Sequence, residues 1–208
     1  MNAGIERKTT TWLFNPFVYV AGAPALGRGL AAILVAGFIG SVSNTHFDGV
    51  LDTHTGMPAP IWFFLSAGLV DWVCLAIVLL VFGKIISKTA FRTIDLVGTQ
   101  ALARWPTLLI SAVTLPPAFQ RFSHHLIVQL TQPGKEIEIN PIDATVYWIA
   151  VGAMLVFLCW EVYLMYKSYS VSCNVKGGIA IGTFIAGLLL AEILSKIAIY
   201  SLLKLGGL

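Results

Sequence analysis

Long apolar runs separated by short polar segments dominate this chain. A helix that spans a bilayer needs about 20 mostly apolar residues. The runs therefore predict an all-α integral membrane bundle that forms a single domain over residues 1–208. Its five transmembrane helices are predicted at about 29–43, 61–82, 96–118, 144–166 and 178–203.

The stretch before the first of these helices is also apolar, but it is interrupted by Pro16, Gly22 and Pro24. Prolines and glycines of this kind disfavour an uninterrupted spanning helix. The aromatic side chains of the stretch favour the headgroup zone of a bilayer. Residues 1–27 are therefore interpreted as a short cytoplasmic segment at the membrane interface.

Two local patterns refine the predicted helices. Pro106 removes a backbone donor inside the third span, so a kink is expected there. Small residues at four-residue spacing let helices approach closely, and they form two stripes, Ala32/Ala36/Gly40 and Gly178/Gly182. The stripes are interpreted either as packing within the bundle or as contacts in a homo-oligomer.

Composition supports a membrane location. Apolar residues make up 57% of the chain and charged residues 11%, against roughly 25% charged in soluble domains. The net charge of +3 is therefore assigned to loops facing the lipid bilayer, not to a nucleic-acid surface. The three cysteines form no C-x-x-C pair, so they predict neither a disulfide framework nor a zinc ribbon.

Basic residues predict the orientation, because cytoplasmic loops carry an excess of Lys and Arg. With a cytoplasmic N-terminus and an extracytoplasmic C-terminus, the inner segments hold eight such residues and the outer segments three. The inner residues are Arg7, Lys8, Arg28, Lys84, Lys88, Arg92, Lys167 and Lys176, and the outer ones are Arg121, Lys135 and Lys204. All four histidines then lie on the outer side.

The polar segment 44–56 carries the main candidate chemistry. It has an H-x-D-x3-D-x-H pattern formed by His46, Asp48, Asp52 and His54. Imidazole and carboxylate groups are ligands for divalent metals, so the pattern predicts an outward-facing site for zinc first, and iron or manganese next. His124 or His125 would complete it. The alternative is that the aspartates cap turns and the histidines lie at the membrane surface.

Five ionisable residues fall inside the predicted spans, namely Asp71, Arg104, Glu161, Glu192 and Lys196. A charge in hydrocarbon costs at least about 2.5 kcal/mol for most of these types, so partners are expected. Arg104 is predicted to pair with Glu161 first and Asp71 second. Glu192 and Lys196 have the i, i+4 spacing of a helical ion pair. Such pairs either specify helix packing or form a polar path for protons, ions or a small solute.

Three stretches carry a resemblance to a known family, namely WLFNPF at 12–17, FRTIDLVG at 91–98 and QALARWP at 100–106. With the apolar architecture they make the chain resemble the Yip1 family of small polytopic membrane proteins, as a bacterial-type member. The resemblance implies five spans, a cytoplasmic N-terminus and a non-enzymatic role in membrane organisation or partner scaffolding. The D-L-Y-G-P motif of eukaryotic members, which are associated with Rab GTPases, is absent.

Two other functions compete with that role. The buried charges suit a small transporter or channel, and the outer His/Asp cluster suits a membrane-embedded metalloenzyme. The sequence has no P-loop, nucleophile elbow or H-E-x-x-H motif, which are signatures of common enzyme mechanisms. A non-enzymatic protein is therefore favoured.

Overall fold

The computed structural model describes residues 10–56, 58–132 and 140–205. Over these residues the chain is mainly helical and has only two very short strands, which confirms the predicted all-α class. The longer helices are α1 (Gly22–Ser43), α2 (Ile61–Ile86), α3 (Thr93–Ala103), α4 (Thr107–Val113), α5 (Pro117–Thr131), α6 (Pro141–Ser172) and α7 (Gly177–Leu205). A 3-10 turn at Pro16–Val18 precedes them, and two short strands, β1 (Thr45–His46) and β2 (His54–Thr55), follow α1.

Four of these helices, α1, α2, α6 and α7, are long and apolar enough to cross a membrane. The chain therefore has the features of a multi-pass membrane protein. The spans predicted at 61–82, 144–166 and 178–203 lie within α2, α6 and α7. Helix α1 begins at Gly22, seven residues before the predicted start at residue 29. Pro24 is compatible with this start because a proline in the first turn of a helix removes no helical hydrogen bond.

The third predicted span, 96–118, is wrong as a single helix. Helix α3 ends at Ala103 and α4 begins at Thr107, because Pro106 has no N–H to continue the ladder. The backbone tightens here, and the Arg104 and Trp105 N–H groups each donate to the carbonyl three residues earlier, at 3.2 Å. A second break separates α4 from α5. Among the described residues, the uninterrupted apolar helices therefore number four.

The broken pair α3–α4 nevertheless follows α1 along its length. Gly98 lies so close to the start of α1 that a Cβ there would be 2.3 Å from the Gly22 carbonyl oxygen. A Cβ on Gly29 would lie 2.3 Å from the carbonyl carbon of Ala101. At the other end, the Thr114 hydroxyl donates to Ser43 at 2.9 Å. Residues 95–114 thus cover the same length of the bundle as 22–43.

The two predicted small-residue stripes have different surroundings. Ala32, Ala36 and Gly40 are buried within the chain, so this face already packs against the chain's own elements. Gly178 and Gly182 are exposed, and a Cβ on either would meet no atom within 4 Å. The homo-oligomer contact at Gly178 and Gly182 stays a prediction.

The helix order defines two ends of the bundle. At the end we call the basic end, the start of α1 lies beside α3, and Gly83 near the end of α2 lies beside Cys173. At the end we call the hairpin end, Phe63 at the start of α2 packs with Ile199 of α7, and Arg121 of α5 contacts Asp143 of α6 at 2.7 Å. Helix α5 lies at the hairpin end.

Candidate functional site

A small hairpin leads the chain from the end of α1 back into the bundle. Asn44 adopts a left-handed conformation with φ 50° and ends α1. Strands β1 and β2 then pair antiparallel, with Thr45 opposite Thr55 and His46 opposite His54. The pairing closes the neck of a loop, residues 47–53, which we call the re-entrant loop.

The re-entrant loop lies deep inside the helices. Val50 is 2% exposed and belongs to the same buried core as Leu75 and Leu188. The Leu51 N–H donates to Glu192 Oε2 at 2.8 Å. Glu192 precedes the end of α7 at Leu205 by about 20 Å of helix. Non-helical backbone at such a depth occurs where protein or a polar cavity surrounds it.

Glycine at position 49 permits this close approach. A Cβ on Gly49 would lie 2.5 Å from Glu192 Oε1, so a larger residue would push the carboxylate and the loop apart. Phe47 occupies the other side of the loop, where its ring contacts Gly40 at the end of α1. The loop is therefore held between α1 and α7 by shape and by one charged hydrogen bond.

Three of the four residues in the predicted metal pattern come together. Asp48, Asp52 and His54 each offer a ligand atom, and these atoms lie within 4.8 Å of one another. His54 Nδ1 is 3.3 Å from an Asp48 oxygen and 3.6 Å from an Asp52 oxygen. Side-chain exposure is 28% for Asp48 and 47% for His54. We call these three residues the loop cluster.

The other predicted metal ligands lie outside the loop cluster. His46 stacks on the His54 ring at 5.5 Å and packs against Phe64 at 4.9 Å, so it supports the ring of His54. His124 and His125 lie on α5, and across the described ranges neither belongs to a group of three close ligand atoms. His125 is buried and packs beside Phe122.

Mutual contact sets the protonation of the loop cluster. Pairing with Asp48 raises the pKa of His54, although burial opposes the change. Burial alone would raise the pKa of Asp48, but the hydrogen bond and charge of His54 hold that pKa below its usual value. A protonated His54 beside an ionised Asp48 is therefore favoured over a wider pH range than for isolated side chains.

Glu192 and Lys196 of α7 contact the re-entrant loop that carries the loop cluster. Lys196 Nζ forms ion pairs with Asp52 and, at 3.5 Å, with Glu192. The i, i+4 pair predicted from the sequence is therefore present, and it is extended by the loop carboxylate. The Lys196 ammonium group compensates part of the negative charge that the loop carboxylates place within the bundle.

The remaining charges inside the predicted spans form a second group. Arg104 Nη2 lies 3.8 Å from Asp71 Oδ2, and Arg104 Nε lies 3.8 Å from Glu161 Oε1. All three side chains are at most 3% exposed. We call them the buried triad. Both acids predicted to reach Arg104 do so, because the break between α3 and α4 places its guanidinium between α2 and α6.

Hydroxyl and amide groups that were not predicted from the sequence line the polar interior, both around the buried triad and from there toward the basic end. Thr107 donates to Glu161 Oε2 at 2.9 Å, and Gln100 donates to the Met165 carbonyl at 3.0 Å. The Thr99 hydroxyl lies 2.7 Å from Ser168 and 2.8 Å from Ser172. Their spacing on α3 and α6 places them on facing sides, a signal that is visible only once the two helices are paired.

A cavity of about 490 Å³ adjoins the loop cluster between α5 and α6. Asp52 and His54 form part of one wall, while Val151, Met154 and Leu158 form an apolar wall opposite. This volume lies in the range of small-molecule pockets, roughly 300–1,000 Å³. The loop cluster therefore borders a space at the hairpin end.

Comparison with protein-family models, curated proteins and solved structures finds no match to this chain. The resemblance to the Yip1 family accordingly stays a prediction from the three sequence stretches.

Proposed function

We propose that the protein is a multi-pass membrane protein with five crossings, a cytoplasmic N-terminus and an extracytoplasmic C-terminus. The fifth crossing is the broken segment α3–α4, which runs beside α1 from end to end. Among the described loops and helix ends, Arg28, Lys84, Lys88, Arg92, Lys167 and Lys176 lie toward the basic end, and Arg121 and Lys204 toward the hairpin end. This excess favours a cytoplasmic basic end. Arg7, Lys8 and Lys135 lie outside the described residues.

Thiol labelling tests this topology. Cys74, Cys159 and Cys173 are replaced, and a single cysteine is placed at Ala90 or Gln129, two exposed positions at opposite ends. In intact cells, an impermeant maleimide should modify Gln129→Cys, and it should modify Ala90→Cys only after lysis. Modification of both from the same side would contradict five crossings.

Within this topology we propose that the protein is a small transporter or channel that passes protons or a small cation. One observation carries the proposal, namely the re-entrant loop that brings the loop cluster down to Glu192. From Glu192 the polar groups continue to the buried triad, since Glu192 and Asp48 both act electrostatically on the Asp71 carboxylate. Gln100, Thr99, Ser168 and Ser172 extend this path toward the basic end.

Buried charges of this number are costly, which is why they favour a function over simple packing. Each ionisable group near a bilayer centre costs at least about 2.5 kcal/mol on insertion scales for Asp, Lys and Arg. Apolar residues of similar volume often stabilise a core as well as a buried ion pair does. A line of such groups across the bundle is therefore better explained by ions that move than by helix recognition alone.

Flux into proteoliposomes tests the transport proposal. Vesicles containing the purified protein and a pH-sensitive dye should equilibrate an imposed proton or cation gradient faster than empty vesicles. Glu192→Gln should reduce the rate by at least about tenfold, because it removes a charge from the proposed path. A tenfold change in rate corresponds to about 1.4 kcal/mol in the barrier. Asp95→Asn, a change at a helix start near the basic end, is the matched control and should keep the rate. Equal rates in protein-containing and empty vesicles would contradict transport.

The loop cluster supports a second proposal, that a divalent metal binds Asp48, Asp52 and His54. The three ligand atoms are close together, and charge favours a dication. With His54 neutral, the carboxylates of Asp48, Asp52 and Glu192 face one ammonium, Lys196, which leaves a net charge of −2. Zinc suits this mixture of imidazole and carboxylate, and iron or manganese accept it as well.

Thermal unfolding in detergent tests the metal proposal. Added zinc should raise the unfolding midpoint of the wild type, and a chelator should reverse the change. Asp48→Asn should abolish the response, whereas His124→Ala should keep it. A midpoint that ignores both zinc and chelator would contradict the site.

A further inference from the structure

The buried triad contains one more acid than base. Asp71 and Glu161 flank a single guanidinium, Arg104, and all three side chains are at most 3% exposed. If all three were ionised, the group would hold a net charge of −1 inside hydrocarbon. A buried charge without compensation is far more costly than a neutral group.

The two acids of the triad have unequal partners. Glu161 accepts a hydrogen bond from Thr107 at 2.9 Å and lies beside Arg104 Nε. Among the described residues, neither oxygen of Asp71 has a donor at full hydrogen-bond geometry, and Arg104 Nη1 has no acceptor. The Ser195 hydroxyl of α7 is the neutral donor that acts on the Asp71 carboxylate. Asp71 is 0% exposed. An ionised carboxylate ordinarily takes several donors, so the poorly partnered Asp71 oxygens point to a ligand that carries positive charge.

Within the part of the chain that the structure describes, Arg104 is the one basic group that acts on Asp71. The charged groups that act on it from the packed elements are Arg104 beside α3, Glu192 of α7 and Asp48 of the re-entrant loop. The last two add negative charge.

We propose that the buried triad binds one monovalent positive charge on the Asp71 carboxylate, either a proton or a sodium ion. This inference rests on the transport proposal in one respect: if the protein transports ions, the bound charge would be the transported species. The binding of the charge itself is tested without measuring flux. The count of charges, two acids against one base, sets the expected behaviour of variants.

Variants that change the number of charges in the triad give a test that separates charge balance from the loss of individual contacts. Asp71→Asn and Glu161→Gln each leave one acid opposite Arg104, so each single variant should unfold near the wild-type midpoint. The double variant leaves Arg104 alone, and its midpoint should fall roughly 6–20 °C below either single variant. Single variants that fall as far as the double variant would contradict the proposal, because both carboxylates would then have been needed as charges.

Two further measurements on the purified full chain distinguish a bound sodium ion from a bound proton. A sodium site predicts that the wild-type midpoint rises with sodium chloride relative to choline chloride at constant ionic strength, and that Asp71→Asn loses this response. A proton predicts a carboxylic-acid infrared band that shifts on isotopic labelling of aspartate, stays unshifted on labelling of glutamate, and disappears in Asp71→Asn. A band that follows glutamate labelling, or neither response in the wild type, would overturn the proposal. If either response is found and flux is absent, only transport fails.

Discussion

The loop cluster and the buried triad use similar side chains in different surroundings. In the loop cluster, contacts of 3.3–3.6 Å join groups that are roughly one-quarter to one-half exposed. In the triad, the contacts are 3.8 Å and the groups are at most 3% exposed. Water screens an imbalance in the first region but not in the second. The comparison indicates that the loop cluster tolerates changes of charge, whereas the triad must be balanced from within.

The largest expected effect is the removal of the one base in the triad. Arg104→Met would leave two facing acids in the bundle, and a stranded buried charge costs about 3–5 kcal/mol. We expect loss of the folded peak in size-exclusion chromatography or a much lower unfolding midpoint. Arg92→Met, at an exposed loop position, is the control and should unfold like the wild type.

A triple variant sharpens that result. Arg104→Met with Asp71→Asn and Glu161→Gln removes every charge of the triad, so no charge is stranded. Its midpoint should recover above that of Arg104→Met alone. A triple variant that is less stable than the single one would show that hydrogen bonds, and not charge balance, hold the triad.

The next effect concerns the contact between loop and helix. Glu192→Leu removes the acceptor of the Leu51 N–H and leaves that donor buried, at a cost of about 1–3 kcal/mol. Glu192→Gln keeps an acceptor oxygen and should lose less stability in the same unfolding assay. Equal losses in the two variants would assign the effect to charge and not to the hydrogen bond.

How much of this arrangement was predictable depends on the range of the interaction. Asp71, Arg104 and Glu161 were recognisable individually, because a charge within an apolar run is conspicuous, and their depth allowed the pairing. The break at Pro106 was also expected as a kink, since proline lacks an N–H. Local sequence thus predicted a partner for Arg104, with Glu161 first and Asp71 second, and a kink at Pro106. It did not predict that both acids flank Arg104 or that the break positions its guanidinium.

The re-entrant loop was not predictable in the same way. Asp48–Gly49 suggested a turn at the surface, and nothing in the order of residues 44–56 indicates burial among helices. Its position depends on contacts with Glu192, about 140 residues later in the chain, and with Leu75 and Leu188. The same distance in sequence explains why Lys196 was paired only with Glu192 and not with Asp52.

The smallest expected effect is the pH dependence of the loop cluster. The pKa of His54 is raised in the fold, so its pairing stabilises fully below the usual value of 6.5 and is lost as the pH rises through the folded pKa. The pKa of Asp48 is lowered, so its contribution is present above 3.8 and lost as the pH falls through the folded value. Exposure limits the total to about 1 kcal/mol or less.

The pH effect is measured as the difference in unfolding midpoint between the wild type and His54→Ala. That difference should be largest near pH 5 and smaller near pH 8.5, about two units to either side of the usual His pKa. His124→Ala, on α5 and outside the loop cluster, should show no such trend. A difference that grows toward high pH would contradict the pairing of His54 with Asp48.

The position of the re-entrant loop is the central claim, and the labelling rate of a cysteine at Val50, which is 2% exposed, tests it most directly. In a background without Cys74, Cys159 and Cys173, a water-soluble maleimide should modify Val50→Cys at least about tenfold more slowly than Ala90→Cys, an exposed loop position. A tenfold slower reaction corresponds to a free energy of about 1.4 kcal/mol for local opening of the loop. Adding Glu192→Leu should speed the reaction, because it removes the acceptor of the neighbouring Leu51 N–H. A rate at Val50→Cys equal to that at Ala90→Cys, unchanged by Glu192→Leu, would show that the loop lies in water and would contradict the account.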